Sequence, residues 1–250
     1  MNRIKISPLA LSGTCESDSK ASLSKTPPRK DLGATNRHRN QTSSVFVPMH
    51  YEKNYRYPLV VWLHSDKETS DEIHQVMPKV SMRNCVAVAP NCPSGGCWQQ
   101  DLDSIEAAHT AVINSVEMAM NRFNINPRRI FLGGFGGGGT MALRVAMERA
   151  ELFAGVMSIN GPMPESQAPL GCWEDCRNLP VFLTQARKSQ SFDQATLCRQ
   201  LKLLHVAGFA LTLRQYPGVE SLSQKLLQDV NRWIMEVVNS PELEAQRRAK

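Results

Sequence analysis

The chain has 250 residues, 42% of them hydrophobic and 21% charged, which is typical of a soluble globular protein and excludes a low-complexity or collagen-like chain. No apolar run approaches the ~20 residues that a membrane-spanning helix needs, so no membrane span is expected. The net charge of +6 belongs mainly to the first 44 residues, which hold 8 Lys or Arg and 3 Asp or Glu, whereas residues 45–240 hold 18 of each; because nucleic-acid-binding domains carry positive charge on the fold itself, no nucleic-acid partner is expected.

Residues 1–43 consist largely of Ser, Thr, Lys, Arg, Asn and Pro, with few large apolar side chains. Such a segment cannot bury enough apolar surface to offset the entropy lost on ordering, so a flexible basic tail is predicted. Residues 44–240 are predicted to form one domain, followed by a short C-terminal tail over residues 241–250.

The predicted elements alternate along the domain, and several strands are continuous apolar runs of the kind that is buried on both faces. Strands are predicted at 57–64, 85–90, 129–133, 153–160, 179–184 and 210–216, and helices at 69–83, 101–123, 140–149, 193–207 and 221–238. Alternation of this kind predicts a parallel sheet with helices on both faces.

A strand, a run of glycines and a helix follow one another in residues 125–146, INPRRIFLGGFGGGGTMALRVA. This segment resembles the nucleophile elbow of the phospholipase/carboxylesterase family of α/β-hydrolases. Residues 57–64 (YPLVVWLH), 152–162 (LFAGVMSINGP) and 211–218 (LTLRQYPG) resemble that family too, in the same order. The resemblance covers residues 45–238 and implies the α/β-hydrolase fold, a mostly parallel, doubly wound sheet with helices on both faces.

The catalytic positions implied by the resemblance hold other residues. The family's nucleophile is the Ser of G-x-S-x-G, and here the matching stretch is GFGGG, with Gly136 at the nucleophile position. The family's acid lies in a stretch like H-G-x-x-D, which here reads QARKS and ends at Ser189; its histidine follows Tyr-Pro-Gly, and here Glu220 takes that place. The resemblance therefore implies a degenerate triad, and loss of hydrolysis is expected.

The loop that holds the oxyanion in the family also differs. The stretch LHSD at residues 63–66 makes Asp66 and Gly137 the backbone donors, and an Asp66 carboxylate that pointed inward would oppose negative charge developing on a substrate. The same resemblance places five residues on the rim of the pocket: His64, Ser65, Cys97, Trp98 and Trp173.

The same segments allow other interpretations. The glycine run could be a turn kept for packing, since glycine accepts elbow angles freely, or a loop that cradles phosphate, although no Walker lysine follows it. Ser65 with His64 could be a substitute nucleophile and base, but neighbours at one strand end point in different directions. Asp193 could be a displaced acid or, as we expect, a helix N-cap.

The seven cysteines are an odd number in a chain large enough to fold without disulfides, which indicates a reducing compartment. The apolar stretch at residues 6–11 is short and is interrupted by Ser and Pro, unlike a signal peptide, so a cytoplasmic location is expected. Two pairs lie in predicted rim loops, Cys92 with Cys97 and Cys172 with Cys176. Neither pair has C-x2-C spacing, so free thiols are favoured over a disulfide or a zinc site.

These observations favour a binding or regulatory member of the family that has lost hydrolytic activity. The expected partners are a small acyl or ester-like ligand and either a second copy of the chain or an active relative, with no metal and no cofactor. Two alternatives remain open at this point: an active carboxylic-ester hydrolase with a relocated nucleophile, and a scaffold protein that uses the basic tail.

Overall fold

The computed structural model of the chain describes residues 43–66, 68–164, 176–190, 193–206 and 208–240. The predicted C-terminal tail, all but the last residue of the predicted N-terminal tail, and the candidates Cys172 and Trp173 lie outside these residues. In the part of the chain that the structure describes, no helix combines the length and the apolar character needed to cross a bilayer.

The described strands form one seven-stranded sheet in the order β1-β3-β2-β4-β5-β6-β7. The short edge strand β1 runs antiparallel to β3, and the other neighbouring pairs are parallel. The strands are β1 Ser44–Phe46, β2 Tyr57–Leu63, β3 Val86–Ala89, β4 Ile125–Phe135, β5 Gly155–Ile159, β6 Val181–Ala186 and β7 Leu211–Tyr216. The predicted doubly wound, mostly parallel sheet is confirmed.

The structure describes five α-helices, of which the first four lie between strands and the last follows β7: α1 Ile73–Val80, α2 Leu102–Arg122, α3 Gly137–Glu148, α4 Gln194–Val206 and α5 Gln224–Asn239. Side-chain caps fix the starts of α2, α4 and α5. The Asp101 carboxylate accepts from the Ser104 N–H at 3.0 Å, and Ser223 accepts from the Leu226 N–H at 3.3 Å, so the last helix begins later than residue 221. Asp193 accepts from the Thr196 N–H at 2.7 Å, which confirms it as an N-cap.

The core lies in two layers, one on each face of the sheet, and strand alternation assigns side chains to them. Leu59 and Val61 of β2 belong to the layer under α2 and α3, whereas Trp62 belongs to the layer under α1 and α5. In this second layer Trp233 of α5 is buried and packs on Phe182 with ring centroids 5.4 Å apart. Because both faces are covered, β2 and β3 are continuous apolar runs, and β5 and β6 are buried along their whole length.

Candidate functional site

The turn between β4 and α3 is the centre of the candidate site, and Gly136 stands at its tip. Its backbone angles are φ 57° and ψ −124°, a conformation that L-residues with a side chain rarely adopt. The Gly136 N–H donates to the Ile159 carbonyl at 2.9 Å, and the Thr140 N–H donates to the Gly136 carbonyl at 3.1 Å. The chain therefore forms a sharp strand-to-helix turn at a residue that has no side chain.

Close approach of backbone explains the glycines on either side of the turn. A methyl group on Gly134 would lie 2.5 Å from the carbonyl carbon of Gly138 and 2.6 Å from the Leu63 carbonyl oxygen. A methyl group on Gly138 would meet the carbonyls of Leu63 and His64. The first turn of α3 thus lies directly on the ends of β2 and β4, which supports the interpretation that these glycines serve packing.

The loop after β5 covers the turn from the other side. A methyl group on Gly161 would lie 2.5 Å from the Gly136 carbonyl oxygen, so this loop passes in contact with the turn. Asn160 has φ 53°, and its Oδ1 accepts from the Ala186 N–H at 2.8 Å, which ties the end of β5 to β6. The geometry of the turn is therefore fixed by neighbouring backbone rather than by its own side chain.

The Asp66 side chain comes from the loop after β2 and lies over the start of α3. A methyl group on Gly137 would come 2.5 Å from Asp66 Oδ1 and 3.1 Å from Oδ2. A methyl group on Gly136 would lie 4.0 Å from Asp66 Oδ2. The carboxylate thus lies beside Gly136, which the resemblance matches to the nucleophile position, and beside Gly137, which it matches to an oxyanion donor.

His64 is 1% exposed, and both of its ring nitrogens have partners inside the protein. The Cys92 N–H donates to Nε2 at 3.1 Å, so Nε2 carries a lone pair and Nδ1 carries the proton that it donates to the Ser65 carbonyl at 2.9 Å. In this arrangement the imidazole orients two loops, and neither nitrogen faces a serine hydroxyl.

Ser65 is anchored by Glu72, a residue that the sequence analysis did not single out. The Ser65 N–H donates to Glu72 Oε2 at 2.6 Å, and the Ser65 hydroxyl donates to Oε1 at 3.2 Å. Burial raises the pKa of Glu72 above its ordinary value, while the hydrogen bonds from Ser65 act in the opposite direction. No motif in the sequence around Glu72 predicts this contact with Ser65.

Ser189 and Glu220 meet at the ends of the neighbouring strands β6 and β7. The Ser189 hydroxyl donates to Glu220 Oε1 at 2.6 Å, and the Gln190 N–H donates to the same oxygen at 2.9 Å. Backbone bonds also join the two loops, including Lys188 N–H to the Gly218 carbonyl at 3.0 Å. The structure thus places together Ser189 and Glu220, the two residues that the sequence resemblance matches to the family's acid and base.

The remaining described rim candidates lie in the loop after β3. The Trp98 side chain is 4% exposed, and its indole N–H donates to the His64 carbonyl at 2.9 Å. Cys97 is exposed and Cys92 is buried, and both are free thiols, with the Cys92 thiol donating to the Cys97 carbonyl at 2.9 Å. The pairing of Cys172 with Cys176 cannot be placed, since Cys172 lies outside the described residues.

A second polar cluster, which the sequence did not indicate, fastens β7 to α5. Asp229 is 7% exposed and accepts from the Tyr216 hydroxyl at 2.8 Å, and Arg214 lies 3.0 Å from its other oxygen. Burial, followed by the bond to Asp229, raises the pKa of Tyr216. The Tyr-Pro-Gly segment therefore has a structural anchor directly before the loop that carries Glu220.

Comparison with known proteins agrees with this architecture. A model of the Phospholipase/Carboxylesterase family matches residues 93–238, more than half of the chain. Solved structures that resemble it include Arabidopsis thaliana SOBER1, with 18% identity, a TM-score of 0.63, and coverage of 73% of this chain and 100% of that one. Zea mays acyl-protein thioesterase 2 has 15% identity, a TM-score of 0.63, and coverage of 79% and 99%.

A third similar structure is a phospholipase/carboxylesterase from Dyadobacter fermentans, with 18% identity, a TM-score of 0.59, and coverage of 78% of this chain and 96% of that one. At these identities the likeness concerns the fold, which is that of the α/β-hydrolases. No curated protein sequence matches the chain.

Proposed function

The chain belongs to the phospholipase/carboxylesterase family, and from that membership we propose that it is a binding or regulatory member that does not hydrolyse esters. The observation that carries the proposal is Gly136, which occupies the tip of the strand-to-helix turn in the elbow conformation without a side chain. An acyl-enzyme forms when a side-chain oxygen or sulfur attacks the substrate's carbonyl carbon, and position 136 offers neither atom.

The base is missing as well. A serine nucleophile needs a group that takes its proton, and Glu220 stands where the family places that group. Its Oε1 already accepts from the Ser189 hydroxyl and the Gln190 N–H. A glutamate carboxylate, with an ordinary pKa of ~4.3, is also a weak base toward a hydroxyl at neutral pH.

A relocated nucleophile finds little support among the described candidates. The Ser65 hydroxyl donates to Glu72, and the neighbouring His64 ring uses both nitrogens on backbone groups. The group that accepts from the Ser65 hydroxyl is the Glu72 carboxylate, and a carboxylate is a weak base toward a hydroxyl at neutral pH. The hypothesis of an active ester hydrolase therefore has no observation in its favour at this loop.

We expect the retained turn and its surrounding loops to bind a small acyl or ester-like ligand, in the cytoplasm, with a second copy of the chain or an active relative as the protein partner. The ligand class comes from the esterases and thioesterases that the chain resembles in fold. A scaffold role would need no such ligand, and ligand binding separates the two hypotheses.

The test pairs a fluorophosphonate probe with turnover of p-nitrophenyl butyrate and p-nitrophenyl octanoate. Wild type should show no labelled serine and no hydrolysis above a heat-denatured sample, and Ser65→Ala should be indistinguishable from it. Stoichiometric labelling of one serine, lost when that serine is replaced, would overturn the proposal. Titration with N-butyl octanamide, an uncleaved acyl analogue, should show saturable binding; its absence would favour the scaffold hypothesis.

A further inference from the structure

We propose that Cys92 and Cys97 are a redox pair: a low-molecular-weight disulfide of the glutathione class oxidises the two thiols to an intramolecular disulfide, which restricts the loop after β3 beside the candidate site. Both cysteines are free thiols in the structure, which is the reduced form of such a pair. Their mutual contact, their unequal exposure and the anchoring of their loop on His64 support the proposal.

The sulfur of Cys92 already lies against the backbone of Cys97. Its thiol donates to the Cys97 carbonyl at 2.9 Å. Because a carbonyl oxygen is ~2.4 Å from the Cα atom of its own residue, the Cys92 sulfur lies within ~5 Å of the Cys97 Cα atom. The two Cα atoms of a disulfide are usually ~4.4–6.8 Å apart. Rotation of the Cys97 side chain and a small movement of the loop therefore suffice to form the bond.

The backbone between the two cysteines bends back and has room to adjust. The Gly95 N–H donates to the Cys92 carbonyl at 3.1 Å, which closes a turn directly after Cys92. Gly95 and Gly96 have φ angles of 83° and 141°, and a methyl group on either would meet no atom of the described residues within 4 Å. The turn thus returns the chain toward Cys92, and the tip of the loop can shift without displacing a described neighbour.

Exposure sets the order of the two chemical steps. Cys97 is exposed and meets the oxidant first, whereas Cys92 is 8% exposed. The Cys97 thiolate attacks one sulfur of glutathione disulfide, breaks its S–S bond and releases one glutathione thiolate. The Cys92 thiolate then attacks the Cys97 sulfur, forms the intramolecular bond and releases the second glutathione thiolate. The two protons lost by the cysteines pass through water to the two released thiolates, and the two electrons reduce the oxidant.

Both ends of this loop are anchored on His64. The Cys92 N–H donates to the imidazole Nε2 at 3.1 Å, and the Trp98 indole N–H donates to the His64 carbonyl at 2.9 Å. His64 comes two residues before Asp66, whose carboxylate lies beside the strand-to-helix turn. A bond between Cys92 and Cys97 closes a small ring between these two anchors, so it restricts the loop next to the candidate site.

Two other described cysteines provide the comparison. Cys85 belongs to the core layer on the opposite face of the sheet, and burial raises the pKa of its thiol to about 12, which leaves little thiolate for exchange. Cys198 is exposed on α4 and serves as an internal control, since it belongs to no proposed pair.

Peptide mapping tests the pair. The protein is treated with excess oxidised glutathione, the remaining thiols are blocked with N-ethylmaleimide, and the peptides are identified by tandem mass spectrometry. Wild type should yield a peptide that contains both Cys92 and Cys97 and is lighter by two hydrogen atoms than the dithiol form. Dithiothreitol should reverse this change.

The variant Cys92→Ser removes the second attack, so glutathione should remain on Cys97 at an occupancy at least ~10-fold above that in wild type. Occupancy of Cys198 by glutathione should be the same in both proteins. Equal occupancy of Cys97 in the two proteins, with no linked peptide in wild type, would overturn the pair. An unmodified Cys97 in Cys92→Ser, beside a modified Cys198, would overturn its role as the attacking thiol.

Hydrogen exchange tests the effect on the loop. Amides of residues 92–98 should exchange at least ~3-fold more slowly in oxidised than in reduced wild type. The same treatment should leave exchange unchanged in Cys97→Ser, a conservative change at an exposed position; circular dichroism checks that both serine variants are folded. Equal exchange in the two forms of wild type would overturn the restriction of the loop. Neither measurement depends on esterase activity or acyl binding, so a failure of the proposed function is recognised separately.

Discussion

Replacing Gly136 by serine tests the proposed loss of chemistry most directly. Gly136 has φ 57° and ψ −124°, and holding a serine at such angles costs about 1–3 kcal/mol. A Cβ atom there would have its nearest neighbour, Asp66 Oδ2, at 4.0 Å, so no steric overlap adds to this cost. With ~2–4 °C of Tm lost per kcal/mol in a domain of this size, the expected fall in Tm is about 2–12 °C.

The added hydroxyl should not create an esterase. On the proposed function it would lack an imidazole base, since the resemblance matches Glu220 to the histidine position and Glu220 accepts from Ser189 and Gln190. A free serine hydroxyl is a weak nucleophile at neutral pH. Turnover of p-nitrophenyl butyrate by Gly136→Ser should therefore equal that of Gly136→Ala, the matched control that carries the same backbone strain without the hydroxyl.

The triple variant Gly136→Ser, Ser189→Asp, Glu220→His should exceed the single variant, because Ser189 and Glu220 already lie in contact and their replacements could pair. Folding is checked by circular dichroism before any rate is compared. If the single variant matches the triple one with both above wild type, a base already exists in the site and the reasoning about Glu220 is refuted. If the folded triple variant stays inert, the assignment of positions 189 and 220 or the access past Asp66 is wrong.

Three further predictions concern the loops around the site. Glu220→Ala removes the acceptor of two hydrogen bonds and should destabilise the fold by about 1–2 kcal/mol in urea unfolding, whereas the exposed Val219→Ala should not. Glu72 has a raised pKa in the folded state, so between its ordinary pKa of 4.5 and that higher pKa the folded protein binds more protons than the unfolded chain. Wild type should therefore lose stability relative to Glu72→Gln as the pH rises through this range, and the opposite slope would contradict this reasoning. Tyr216→Phe leaves a buried oxygen of Asp229 without its hydroxyl donor and should cost about 1–2 kcal/mol; an unchanged unfolding midpoint would show that Arg214 and Arg232 satisfy Asp229 without the hydroxyl.

The fold could be predicted from the sequence because its signals are local and repeated. Residues 57–63 and 86–89 are apolar on both sides of the strand, as expected for a sheet that is covered on both faces. The turn at Gly136 was equally accessible, since a run of glycines between a strand and a helix requires an unusual backbone. The edge strand β1 carried too little pattern in three residues for its antiparallel direction to be predicted.

The contacts within the site could be predicted only in part. Ser189 and Glu220 are separated by about thirty residues, and only the family resemblance brought them to the same place. The direction of the Asp66 carboxylate and the anchor of Ser65 on Glu72 depend on how one loop settles against two helices. Periodicity does not encode such a contact, so the sequence could state only what an inward-pointing Asp66 would do.

Under the proposed function, packing explains why a chain that does not hydrolyse esters keeps the sharp strand-to-helix turn. The first turn of α3 rests on the ends of β2 and β4 through Gly134 and Gly138, so the sharp turn is required by packing whether or not a nucleophile stands at its tip. Once no hydroxyl is needed there, glycine relieves the strain that a serine would impose. In the same way, the bond between Ser189 and Glu220 keeps the β6 and β7 loops joined where an acid and a histidine would otherwise join them. Packing and loop contacts are therefore sufficient reasons for this fold to keep the turn and the joined loops, and a family resemblance by itself does not establish turnover.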